Sequence, residues 1–226
     1  MADQRDAWKT TWTTDTTQVF WPQAWLPEDL GQEKVRILSV SYNSTASQWS
    51  KGDEVHKMEE FGSNLCDELI HRGDKWWLHK GNKIVLIGHS FGGIIIKSLT
   101  VEASKHASSC EKCKTFLECT KGMIFYAVPH SGRLIAQYVE NYNKAFPHRL
   151  DGVLKKLKEF ETEMETLSKE FEDSLQIPSK YKDHPHVIEI HSIAERLPYN
   201  KVSSLSPLLI SLVKIIFTDF SSAVWE

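Results

Sequence analysis

The sequence predicts an α/β domain with a mostly parallel sheet and helices on both faces. Three observations predict it. Strand-like and helix-like patterns alternate along the chain, as they do in doubly wound domains. The apolar run Ile84-Val85-Leu86-Ile87 suits a strand buried on both faces, as parallel sheets require. A glycine-rich turn, Gly88-His89-Ser90-Phe91-Gly92, then joins that run to a helical pattern.

Each element has its own local reason. Residues 8–30 are rich in Trp and Thr and include Trp21-Pro22 and Trp25-Leu26-Pro27, which predicts irregular chain with one turn of helix. Residues 35–42 are β-rich and bounded by polar residues, so they read as a strand. Met58, Phe61, Leu65 and Leu69 recur at helical spacing, which predicts a helix over 54–72 stopped by Gly73. Residues 83–87 form the central strand, and 91–103 are helical. Residues 122–128 are a second central strand, and 187–191 are the last clear one. Between these two lies a charged helix with a narrow apolar seam at Leu150, Val153, Leu157, Phe160, Met164, Leu167 and Phe171. Such a seam suits a helix laid across the domain, near the site as a lid would lie. A coiled-coil dimer is the alternative. Residues 208–217 are apolar but hold Lys214, and they are far short of a membrane span, so they read as a buried helix or short strand. Ser206 and Pro207 suit a helix cap and first helical residue.

Composition bounds the function. The chain has 226 residues, of which 41% are hydrophobic, enough for one sizeable core, so residues 1–226 are read as a single domain. A net charge of −3 gives no basic excess for nucleic acid. Four cysteines in a chain of this length do not form a disulfide framework, and a reducing compartment follows. The opening Met1-Ala2-Asp3-Gln4-Arg5-Asp6 is neither a secretory signal nor an Arg-rich transit peptide. Without such a signal, the sequon Asn43-Ser44-Thr45 reads as a chance match.

The turn carries the chemistry. Gly-x-Ser-x-Gly between a buried strand and a helix is the pattern of a nucleophile elbow. The sharp bend exposes the Ser90 hydroxyl at the carboxyl edge of the sheet. A side chain two residues to either side would crowd it, hence Gly88 and Gly92, and Gly93 lets the helix approach the sheet. The helix N-terminus offers N–H groups to a developing oxyanion, with the Phe91 N–H as one donor. The turn makes this an α/β-hydrolase-like domain with Ser90 as the candidate nucleophile.

A family resemblance follows from the whole set of motifs. Lys9-Thr10-Thr11-Trp12, Trp21-Pro22-x-x-Trp25-Leu26-Pro27, Arg36-Ile37-Leu38-Ser39-Val40-x-Tyr42, the elbow through Gly93, and the run from Lys121-Gly122-Met123 through Pro129-His130-Ser131-Gly132 occur in one order. Over about residues 8–198 the chain resembles the serine-active-site-containing protein family, a lipase-like branch of the α/β-hydrolases, with 199–226 as a divergent tail. The resemblance implies a serine esterase or acyltransferase of lipid metabolism. Its substrate would be an acyl lipid or ester, with peripheral membrane contact. It links members to phosphatidylglycerol remodelling and to cholesterol trafficking where mitochondria meet endoplasmic reticulum. Glu195 matches a family Glu just past a strand and is the candidate catalytic acid.

The chain also departs from that pattern. The family's opening strand and His-Gly loop, source of the second oxyanion donor, have no counterpart before Trp8. The triad order of this fold places a histidine last, yet no histidine follows His191, which falls within a strand. Arg133 follows Gly132 where the family carries Ser. The domain is therefore expected to be truncated at both ends. His89 flanks the nucleophile on the wrong side, His130 fixes a turn, and His184 and His186 precede the last strand, so none makes a good general base. A missing triad histidine costs on the order of 10⁶ in rate. The alternatives to an active ester hydrolase are a catalytically incomplete binding domain and an unstable fragment. His106, Cys110, Cys113 and Cys119 have residue types that suit zinc and are placed on a loop after the elbow helix. Free thiols are the simpler reading, and neither a metal nor a cofactor is assigned.

Overall fold

Alternation along the inner strands decides how the layers form. Successive side chains of a strand point to opposite faces. Ile84, Leu86, Met123 and Phe125 therefore share one face, and each is almost fully buried. Val85, Ile87, Ile124 and Tyr126 share the other. The computed structural model describes residues 12–13, 17–31, 35–40, 58–72, 77–89, 91–128, 130, 151–175, 188–193 and 213–218.

Among the described residues the strands β1 (Val35–Val40), β2 (Lys83–His89), β3 (Thr120–Tyr126), β4 (Glu189–Ile193) and β5 (Val213–Thr218) form one sheet in the order β1-β5-β2-β3-β4. β2, β3 and β4 are parallel neighbours, while β5 runs antiparallel between β1 and β2. The sheet is thus mixed and mostly parallel, as an α/β-hydrolase-like fold requires. A register shift between Ile84 and Val85 skips Lys121 on the partner strand.

Helices cover both faces unequally. Two single turns, α1 (Trp21–Ala24) and α2 (Leu26–Asp29), each carry a proline near their start. With Trp12 and Phe20 they cover the Ile87 face. The other face takes α3 (Met58–Cys66), which continues as a π-helical turn over Asp67–His71, together with α4 (Phe91–His106), α5 (Glu111–Cys119) and α6 (Asp151–Leu175). In α4, Gly92 through Val101 are all buried, so this helix lies in the middle of the layer. Gly62 of α3 makes the α3–α4 crossing close, because a Cβ there would meet the Ser98 backbone at 2.7 Å. Among the described residues no helix is long and apolar enough to cross a membrane.

Two expectations are corrected. Residues 187–191 were to be the last clear strand, but β5 follows within the 208–217 segment. In that position it hydrogen-bonds β1 on one side and β2 on the other, which a helix could not do. The stretch after the elbow helix was to be a loop, but Glu111–Cys119 is helical. The Cys110 side chain caps its N-terminus by accepting from the Cys113 N–H, and the Thr120 hydroxyl donates to the Phe116 carbonyl at its end. Gly73, the Asn43 sequon and the cap residues Ser206 and Pro207 lie outside the described residues.

The described part of the α6 seam is occupied within the chain. Met164, Leu167 and Phe171 are buried in the main core, and Phe171 meets Phe125 edge-on at 6.2 Å between ring centres. Lys105 of α4 pairs with Glu170 of α6 at 3.2 Å. A helix packed this way predicts that Met164→Ala lowers stability by about 2–5 kcal/mol. The measurement is chemical denaturation at two protein concentrations, with a midpoint that does not depend on concentration. A concentration-dependent midpoint would mean that the seam belongs to a dimer.

Candidate active site

The strand-to-helix junction is as short as the motif demands. β2 ends at His89 and α4 begins at Phe91. Only Ser90 separates them, and it lies outside the described residues. Gly88 is buried beneath the junction. A Cβ on Gly88 would meet the Gly93 Cα and backbone nitrogen at 2.7 Å and Ile96 Cδ1 at 2.8 Å. A Cβ on Gly93 would strike Val128 Cγ2 and approach Val128 Cγ1 at 2.7 Å and Phe125 Cδ1 at 3.0 Å. The first turn of α4 is thus pressed onto the ends of β2 and β3, with no space for a methyl group at either glycine. Gly92 is buried in the same turn.

Val128 reaches Gly93 because the chain bends sharply after β3. Ala127 has φ of 48°, in the left-handed region that non-glycine residues seldom adopt. Its N–H donates to the Ile193 carbonyl at 2.8 Å, which ties the bend to the end of β4. Ala127 and Val128 carry no motif that composition or periodicity would single out.

Two layers flank the junction. Toward α1 and α2, the His89 ring meets Trp12 edge-on at 6.3 Å, and Trp12 meets Tyr126 at 6.2 Å and Trp21 at 5.7 Å. His89 is therefore part of an aromatic cluster on the face away from α4. Phe91 points toward α3, edge-on to Phe61 at 5.8 Å.

On the α4 side a polar chain runs from the core out to the surface. Lys97 is only 4% exposed. Its Nζ donates to Ser168 Oγ at 3.3 Å and stands 5.5 Å from the centre of the Phe171 ring. Ser168 in turn donates to the His130 carbonyl at 3.2 Å, and His130 Nε2 lies 3.2 Å from Ser192 Oγ of β4. Burial lowers the Lys97 ammonium below its ordinary value, against an opposing pull from Glu172. Burial, then the Lys97 charge, also lowers His130 and favours its neutral form. The sequence hinted at this chain only through Lys97, a charge inside the apolar stretch of α4.

The remaining sequence candidates separate clearly. His191 sits in the middle of β4, exposed, opposite Ile124, which in turn faces Ile87. It is two strands away from the elbow strand and below its end, and its Nε2 faces Glu189 at 3.9 Å. Glu195, Gly132, Arg133, His184 and His186 lie outside the described residues. The cysteine pattern regroups. Cys119 donates to the His79 carbonyl at 3.2 Å, and His106 pairs with Glu102 at 3.1 Å. Cys113 is joined instead by Cys66 and His71, far before it in sequence, while Cys110 Sγ accepts from the Cys113 N–H.

The glycine contacts predict that Gly88→Ala and Gly93→Ala each destabilise the domain by about 1–3 kcal/mol, read by chemical denaturation. Gly88→Ala should sit at the upper end, because backbone opposes it. Pairing Gly93→Ala with Val128→Ala should recover about 1 kcal/mol relative to the sum of the single changes. Strict additivity would mean that the two residues do not press on each other.

Comparison with known proteins gives a partial likeness. The chain is 34% identical over 128 residues to Protein SERAC1 of Bos taurus and of Homo sapiens, and 29% identical over 118 residues to Protein SERAC1 of Danio rerio. No family model matches, and no solved structure matches. The likeness to the cattle and human proteins covers 54% of this chain and 17% of each relative, so the chain is similar to one part of Protein SERAC1 and spans less than a fifth of its length.

Proposed function

We propose that this chain is the nucleophile-bearing part of a lipase- or esterase-type serine hydrolase or acyltransferase acting on acyl lipids. The observation that carries the reading is the one-residue passage from β2 to α4 over Gly88 and Gly93. In this reading Ser90 occupies that passage, at the carboxyl edge of the sheet and beside the N-terminus of a sixteen-residue helix. The partial likeness to Protein SERAC1 supports the same reading.

In this reading the Ser90 hydroxyl attacks an acyl carbonyl. Its proton passes to a general base, and an acyl-enzyme forms that water or an alcohol clears. The N–H of Phe91 and the dipole end of α4 stabilise the oxyanion. Glu195, just beyond β4, orients the base. His191 is not that base, because the register of β4 leaves it short of the sheet edge. His89, turned toward Trp12, and His130, held against Ser192, are committed elsewhere. The general base in this reading is therefore none of these three histidines. The acyl lipid brings the protein to a membrane surface of mitochondria or endoplasmic reticulum.

A fluorophosphonate probe tests the reading. The chain should be labelled, and Ser90→Ala should abolish labelling and lower hydrolysis of a phosphatidylglycerol or short-chain ester by about 10⁴–10⁶. Absence of labelling in a chain that melts cooperatively would sink the catalytic reading and leave an acyl-binding domain without chemistry.

A further inference from the structure

The cluster at the other edge of the sheet lies outside the proposed reaction. The elbow stands at the carboxyl edge. α4 spans about 24 Å at 1.5 Å per residue and ends near the amino edge, where α5 and the π-helical turn meet. There Cys66, His71 and Cys113 bring their ligand atoms within 4.8 Å of one another. Cys66 and Cys113 are 1% and 0% exposed, while His71 reaches solvent. None of the four cysteines is in a disulfide.

We propose that Cys66, His71, Cys110 and Cys113 form a Cys₃His zinc site that clamps the end of α3 to the start of α5. Three features carry it. The first is the donor set: three thiols and one imidazole are the soft and borderline ligands of structural zinc sites. Zinc–ligand bonds of about 2.0–2.3 Å set donor separations near 3.6–3.8 Å in a tetrahedron. The His71 Nε2 to Cys113 Sγ distance is 3.1 Å, and the widest separation among the three is within 4.8 Å. Convergence of these three therefore needs shifts on the order of 1 Å, while Cys110 lies outside their 4.8 Å group and its side chain has to turn toward them.

The second is backbone geometry that builds the convergence. Residues five apart in an α-helix lie about 140° apart around the axis, so Cys66 and His71 would face different ways. The π-helical turn, closed by the Arg72 N–H on the Asp67 carbonyl at 2.8 Å, brings them onto one face. On the other side, the Cys110-x-x-Cys113 spacing sits at a helix start, where the Cys113 N–H donates to Cys110 Sγ at 3.3 Å. Lys112 donates to the His71 carbonyl at 3.2 Å and joins the two halves.

The third is the outer shell. Asp67 stands 3.6 Å from His71 Nδ1, which leaves Nε2 facing Cys113. A carboxylate behind a histidine is how metal-binding imidazoles are oriented.

The test is metal analysis of the purified chain, followed by cobalt substitution. The expected result is one zinc per chain and, with Co²⁺, the intense absorption of a tetrahedral thiolate site at one equivalent. His71→Cys should keep one metal while shifting the cobalt bands, and Asp67→Asn should weaken zinc binding about 10–100-fold. Cys119→Ser should leave the bands unchanged. Cys113→Ser should lose them. If it fails to fold, His71→Ala, at a solvent-facing side chain, must alter them. The proposal is overturned by weak octahedral cobalt absorption, by binding below one equivalent, by a disulfide among the three thiols, or by a His71→Ala spectrum identical to the parent. Ser90→Ala should not change the metal content, so failure of this site and failure of the hydrolase reading are separable.

Discussion

The close approach of α4 to the sheet is the constraint on which the rest of the structure depends. Gly88 beneath the helix start and Gly93 on its first turn remove the two β-carbons that would hold strand and helix apart. With them gone, Ile94, Ile96 and Leu99 of α4 pack against Ile84, Leu86, Met123 and Phe125 in one core. Packing at crystal-like density leaves little freedom for repositioning. The junction between β2 and α4 is therefore fixed by the same contacts that stabilise the domain.

That buried helix has consequences at both of its ends. At the carboxyl edge of the sheet, Val128 can fill the space over Gly93 only because Ala127 adopts a left-handed bend tied to Ile193. Midway along α4, Lys97 enters the core and must find partners, so Ser168, the Phe171 ring and the His130 carbonyl are drawn into one chain of contacts. An unpaired buried ammonium would be costly, and the aromatic face and the hydroxyl reduce that cost. At the amino edge, α4 gives way to the Cys110 turn, which meets the end of α3.

The two edges suit different tasks. The carboxyl edge gathers a helix N-terminus, a strained residue and a half-buried histidine, features that favour chemistry on a bound molecule. The amino edge gathers thiols and an imidazole from the end of α3, the π-helical turn and the start of α5. A small helical layer gains stability there from a cross-link, and a metal is the reversible kind.

Much of this was legible in the sequence. The apolar runs before Gly88 and after Lys121 marked two inner strands, because a strand buried on both faces admits almost no polar residue. The glycine spacing marked the junction, and the seam at Met164, Leu167 and Phe171 marked a helix with one buried side. These signals are local: each is a property of a few consecutive residues. Tertiary structure alone decided the rest. The insertion of β5 between β1 and β2 depends on hydrogen-bonding edges that lie more than a hundred residues away from it. The partnership of Cys113 with Cys66 and His71, rather than with Cys119 and His106, depends on a π-helical turn that no spacing rule foresaw. Pattern along a chain reports which face of an element is buried; which distant element buries it is settled only when the layers close on one another.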